Sequence, residues 1–143
     1  MIGKTHLRGL FTIAAGLILF AGCGPSRPAT APVHGRVTYQ GKPVVEGTII
    51  FHPEKGRQSI GEIAPDGTYK LTTFEPGDGA LLGKHRVSIE ARRITETILP
   101  NGAYGPPKVE WLVPEKYSRL DGSTLTAEVK PGDNTIDFDL PAD

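Results

Sequence analysis

The chain has little of what most function classes need. Its 143 residues include one Cys, one Trp and one Met, and 16 Lys plus Arg are balanced by 16 Asp plus Glu. A single Cys excludes an internal disulfide framework and any Cys-x-x-Cys metal or redox site. Zero net charge without a basic run removes the electrostatic footprint that DNA or RNA binding requires, so no nucleic-acid partner is expected. Neither G-x-S-x-G nor H-E-x-x-H occurs, so no nucleophile elbow or helical zinc site is written locally. Turn formers are plentiful instead, at 18 Gly and 13 Pro, which argues against long helices. A hydrophobic content of 38% fills one core at this length, so one folded domain is expected.

The first 22 residues read as an address. Lys4, His6 and Arg8 precede an uncharged stretch from Gly9 to Gly22. Its 14 residues match a signal h-region and fall short of the roughly 20 needed to span a bilayer. The residues Leu19 to Cys23, LFAGC, resemble the lipobox of bacterial lipoproteins, with Phe20 standing where that family usually has Leu. The resemblance implies cleavage before Cys23, a diacylglyceryl group on its thiol and a third acyl chain on the new amino terminus. Burial at about 0.8 kcal/mol per CH₂ then makes attachment lasting. Two other readings exist: Cys23 as an ordinary buried small residue, and secretion after the small-x-small triplet Ala29-Thr30-Ala31, which Pro32 disfavours. Cleavage before Cys23 removes Lys4 and Arg8 and no acid, leaving a formal charge of −2. Residues 23–32 then form a Pro-rich tether whose nine residues after Cys23 reach roughly 28 Å. The implied location is the cell envelope, at the outer membrane or cell surface, since Gly24 is not the Asp linked to inner-membrane retention in some bacteria.

From Val33 the pattern has period two. Val33, Gly35 and Val37 alternate with polar residues, and further strands are expected over 48–52, 59–63, 68–73, 84–93, 125–129 and 136–140. The Ile49-Ile50-Phe51 run suggests burial on both faces. Pro65-Asp66-Gly67 and Pro131-Gly132-Asp133-Asn134 supply hairpin turns. Seven short strands divided by such turns predict an all-β fold, a seven-stranded antiparallel β-sandwich over 33–143. The stretches HGRVTYQGKPVVEGTIIF, GEIAPDGTYKLTTF and GKHRVSIEA resemble the carboxypeptidase regulatory-like domain of the transthyretin-like, Ig-like sandwich group. That resemblance covers Val33 to Ile89, through Gly35 and Val37, Gly41 to Val44, Phe51, Asp66 to Tyr69 and Gly83 to Val87. It implies architecture, with Tyr69 and Phe51 filling the space between sheets, and no activity. A hydrolase branch of the group ends in Tyr-Arg-Gly-Ser; this chain ends Asp139-Leu140-Pro141-Ala142-Asp143.

No catalytic residue, metal ligand or cofactor is assigned. Gly77 to Lys84 looks superficially like a phosphate loop, but counted from Gly79 its spacing is one short, and His85 stands where Ser or Thr is needed. His34, His52 and His85 share no geometry fixed by sequence, and Asp66, Asp78, Asp121 and Asp133 sit in turns, where such side chains bond nearby backbone. The span 94–123 is the least family-like and is expected as a long loop. Its Tyr104, Trp111 and Tyr117 are the candidate binding surface, since rings offer flat apolar faces at low entropic cost. The alternative is that Trp111, Leu112 and Val113 form an extra edge strand or cap. The expected function is thus a noncatalytic envelope lipoprotein, joined to the membrane by its lipid and contacting an envelope protein or glycan. A carbohydrate-binding module and an unrecognised hydrolase are the alternatives.

Overall fold

In a computed structural model, which describes residues 26–142, the period-two pattern becomes strands with one dry face. Cys23 and the signal segment lie outside the described residues. The strands are β1 (Thr30–Ala31), β2 (Val33–Tyr39), β3 (Lys42–Pro43), β4 (Gly47–Pro53), β5 (Ser59–Ile63), β6 (Thr68–Lys70) and β7 (Ala80–Leu81), followed by β8 (Gly83–Glu90), β9 (Arg92–Thr95), β10 (Lys108–Trp111), β11 (Thr126–Val129), β12 (Asn134–Thr135) and β13 (Phe138–Leu140). One 3-10 turn covers Glu115–Ser118. No helix among the described residues is long and apolar enough to cross a membrane.

One sheet is antiparallel in the order β11-β8-β4-β5; the other is built on β2, which pairs with β3 and β6 on one side and with β12 and β13 on the other. Their inner faces interdigitate. Ile49, Phe51, Val87 and Ile89 from the first sheet and Val37, Leu71 and Leu140 from the second have no exposed surface. Phe51 lies at the centre, its ring 6.4 Å from Tyr69 and 6.0 Å from Phe138, so the expected filling of the inter-sheet space is observed. Truncating a fully buried Phe costs about 3–5 kcal/mol. Ile50 is only half-buried; β4 has one dry face rather than two.

The sandwich is as expected, with one departure in its pairing. β11 and β13 do not form a hairpin: β11 joins β8, whereas β12 and β13 cross to the other sheet and lie parallel to β2. A break at Ile136 and Asp137 between β12 and β13 makes room for the crossing. There Asp137 accepts the Arg36 amide at 2.8 Å, and the Ile136 carbonyl accepts the Tyr69 hydroxyl at 2.5 Å. The Ile136 carbonyl oxygen would stand 1.9 Å from a Cβ on Gly35. Only glycine fits there, and its role is this close approach.

Two turns carry fixed acids. Asp66 accepts the Thr68 amide at 3.0 Å and hydroxyl at 2.6 Å, and these bonds hold its carboxyl below the usual aspartate range. Asp78 accepts the amides of Thr73, Phe74 and Glu75 at 2.7, 3.0 and 3.1 Å. Partial burial acts to raise its pKa, and the backbone donors outweigh it, so the net shift is downward. The phosphate-loop lookalike is therefore the end of a turn that Asp78 closes, running on into β7 and the start of β8. Within it, β7 pairs with β1, and Ala31 of β1 belongs to the core. The folded body thus begins ahead of Val33, and Arg27 already holds Glu75 at 2.7 Å. Thr30 and Ala31, expected within a tether, thus form a strand, because Ala31 has a buried place to occupy.

Candidate functional site

Two surface features stand out among the described residues: a cleft on the first sheet bordered by charged side chains, and a long arm beyond the end of that sheet. The cleft, about 770 Å³, opens between the ends of β4, β8 and β11. Register places its side chains in rows. His52 lies opposite Arg86, which lies opposite Thr126, and Lys84 lies opposite Glu128 in the next row, with Glu54 also lining the cleft. Arg86 donates to the Leu120 carbonyl, which closes the 112–125 segment over β8. The Ser123 hydroxyl, donating to the Val87 carbonyl at 2.6 Å, reinforces that closure.

His52 and His85, which sequence separation could not relate, border this cleft, while His34 stands on the other sheet against Asp133 and Thr135. His52 Nε2 is 2.9 Å from the Ser88 hydroxyl. Burial, then the Arg86 charge, then His85 push the His52 pKa below its ordinary value. The pair has the spacing of a base and a nucleophile, but Ser88 is 5% exposed and no carboxylate among the described residues is bonded to the far ring nitrogen. A working dyad needs both access and an orienting group. His85 is buried; its Nε2 donates to the Leu81 carbonyl at 2.7 Å, its ring packs 5.6 Å from Phe51, and its Nδ1 has no partner. No group of three or more His, Cys, Asp or Glu among the described residues has the arrangement of a metal site.

The arm occupies most of the span expected as a loop. β9 and β10 pair antiparallel from Arg92 with Trp111 to Thr95 with Lys108. The ribbon then continues through a bridge between Ile98 and Tyr104 to a tip at Asn101-Gly102. There Leu99 accepts from Gly102 and donates to Ala103, both at 2.8 Å, and Gly102 has φ +80°. The pairing offset drops by one residue between Lys108 and Tyr104, which is a bulge around Pro106-Pro107, where prolines have no amide to give. Opposed pairs share a face. Arg93 meets Glu110 and bonds Glu46 on one side. Arg92 with Trp111, Ile94 with Val109, and Ile98 with Tyr104 form the other.

The three aromatics proposed as a binding surface are not brought together. Tyr117 is in the core at 4% exposure, which corrects its assignment to a surface; it anchors the 3-10 turn beneath the 112–125 segment. Trp111 is half-buried in β10, with the Arg92 guanidinium 5.6 Å above its ring. Tyr104 alone is open, at 77%. The edge-strand alternative is the one observed for Trp111, with Val113 buried as a cap. Sequence reading missed Ile94, Ile98 and Val109, which are exposed on the same arm. The Asn-Gly pair between alternating apolar residues is the signal that could have found them.

Among solved structures, the chain is similar to a DUF3823 family protein from Parabacteroides merdae, with a TM-score of 0.42 and 15% identity over 79% of this chain and 46% of that one. It is also similar to a 9R-lipoxygenase from Cyanothece PCC8801, with a TM-score of 0.37 and 8% identity over 80% of this chain and 16% of that one. The chain spans less than half the length of either. No family model and no curated protein matches it.

Proposed function

We propose that the protein is a lipid-anchored envelope module without catalytic function, whose sandwich holds the arm away from the bilayer for contact with a partner. The observation that carries this reading is the placement of the two ends of β8. Ala29 bonds Leu82 just before the Gly83 end, and the arm leaves from the Glu90 end. Eight strand residues separate those points by about 25 Å. With Arg27 fixed to Glu75, only four residue steps connect it to Cys23, a reach of about 14 Å. A lipid on Cys23 would hold the Gly83 end close to the headgroups and leave the arm on the far side.

The glycan reading needs two open rings on one face, and among the described residues only Tyr104 is open. The hydrolase reading needs an accessible nucleophile, and Ser88 is buried. The anchor is tested by intact-mass analysis of native protein beside a Cys23→Ser variant. Acyl mass on the native chain and its loss in the variant is the expected result; an unmodified native chain overturns the anchor.

A further inference from the structure

The arm presents an apolar face with nothing over it. Ile94, Ile98, Tyr104 and Val109 are 56%, 69%, 77% and 43% exposed, and cross-strand pairing places them as two stacked pairs. The opposite face is mainly polar, with Leu99 near the tip, and is partly satisfied through Arg93, Glu46 and Glu110. An isolated two-stranded ribbon is marginal in water without something on its apolar side.

We propose that this face is a self-association surface, two copies stacking their arms about a twofold axis through the Ile94–Val109 pair. The inference rests on the reading of the arm as the contact surface and names its partner. Two features favour a second copy. The four side chains expose on the order of 500 Å², at the upper end of what a monomer leaves open. Stacking two such faces removes on the order of 1,000 Å², the size a specific interface must clear. One charge pair on the face is also self-complementary, with Arg92 held in its own chain by Glu90 at 2.7 Å. Arg92 and Glu96 flank Ile94 at two residues on either side, both exposed and of opposite sign. A twofold through Ile94 brings Arg92 of each copy toward Glu96 of the other, which is the requirement of an isologous contact. The bilayer is the weaker occupant, because the arm leaves the end of β8 remote from the point where the chain enters the fold.

A residue on a twofold axis faces its own copy, so one introduced thiol reports the geometry. Full-length Ile94→Cys protein in native envelopes is treated with a mild oxidant beside wild type and Lys130→Cys, an exposed site on the turn after β11. Disulfide-linked dimer at least fivefold above both controls is expected. Equal yields, or linkage to a different and heavier protein, overturn the proposal. Intact mass on the same samples reads the acyl state of Cys23, so failure of the anchor and failure of arm pairing are seen separately. A second measurement needs no cysteine: sedimentation of wild type in detergent is expected to show a dimer, with Ile98→Asp weakening it at least tenfold. A wild-type monomer, or a variant that associates equally well, overturns it.

Discussion

β8 and β9 are consecutive in the chain, and their fates differ. In β8, Val87 and Ile89 are completely buried; in β9 every residue is exposed. The apolar phase changes as well: the dry positions Val87, Ile89 and Ala91 are followed on the same face by Arg93 and Thr95, whereas Ile94 falls on the other face, and what lies across from the two strands differs too. β8 runs over the sheet built on β2, whose Val37 and Leu140 fill the opposing layer. The sandwich ends at Ala91, which is buried, and the chain goes on into the arm with no opposing sheet. Alternation dictates a strand. Whether its apolar side finds a partner in the same molecule is decided by where the other sheet stops.

That contrast can be broken most severely at Gly35. Gly35→Val drives a side chain into the Ile136 carbonyl and is expected to cost more than about 3 kcal/mol, enough to unfold the domain in thermal melts. Gly102→Ala at the arm tip, where nothing lies within 4 Å but φ is positive, is expected to cost about 1 kcal/mol or less. Next is the core against the arm face: Phe51→Ala is expected to lose about 3–5 kcal/mol by denaturant unfolding, and Ile98→Ala to stay within about 0.5 kcal/mol. An equal effect at both sites would mean that the arm packs on something in the monomer.

Smaller effects sharpen the turns. Asp78→Ala removes the acceptor of three amides and is expected to cost about 1–2 kcal/mol. Because the Asp78 carboxyl titrates below its unfolded value, its contribution is complete above the ordinary aspartate pKa and fades as pH falls through the lower folded one. The variant's stability is therefore expected to fall less steeply in acid, with Asp66 keeping its own share. The smallest effect belongs to His52. Its pKa is lowered, so the unfolded chain takes up the proton first. Stability is expected to decline gently as pH drops from the ordinary histidine value near 6.5 toward the folded one. His52→Gln is expected to remove that slope.

The sandwich was legible because each principal strand has one dry face and each turn its Gly, Pro or Asp. Phe51 and Tyr69 were placed between the sheets from sequence, and they meet there. The crossing of β13 to lie beside β2 was not legible, since Pro131-Gly132-Asp133-Asn134 reverses the chain equally well within a sheet or between sheets. The cleft was hidden because it depends on register: nothing in the sequence says that His52 opposes Arg86. Tyr117 misled because a ring in a Gly/Pro-rich span can cap a core as readily as face water. The arm was within reach through Asn101-Gly102, but Pro106-Pro107 made its return strand look like loop.

The account rests on the arm being bare in the isolated molecule and covered in its own setting. Hydrogen exchange on the full-length protein, in native envelopes and again at high dilution in detergent, measures this directly. Amides of β4 and β8 are expected to stay protected in both, whereas protection over residues 94–109 is expected in the envelope and lost on dilution. An arm equally protected in both states, or in neither, would contradict the account.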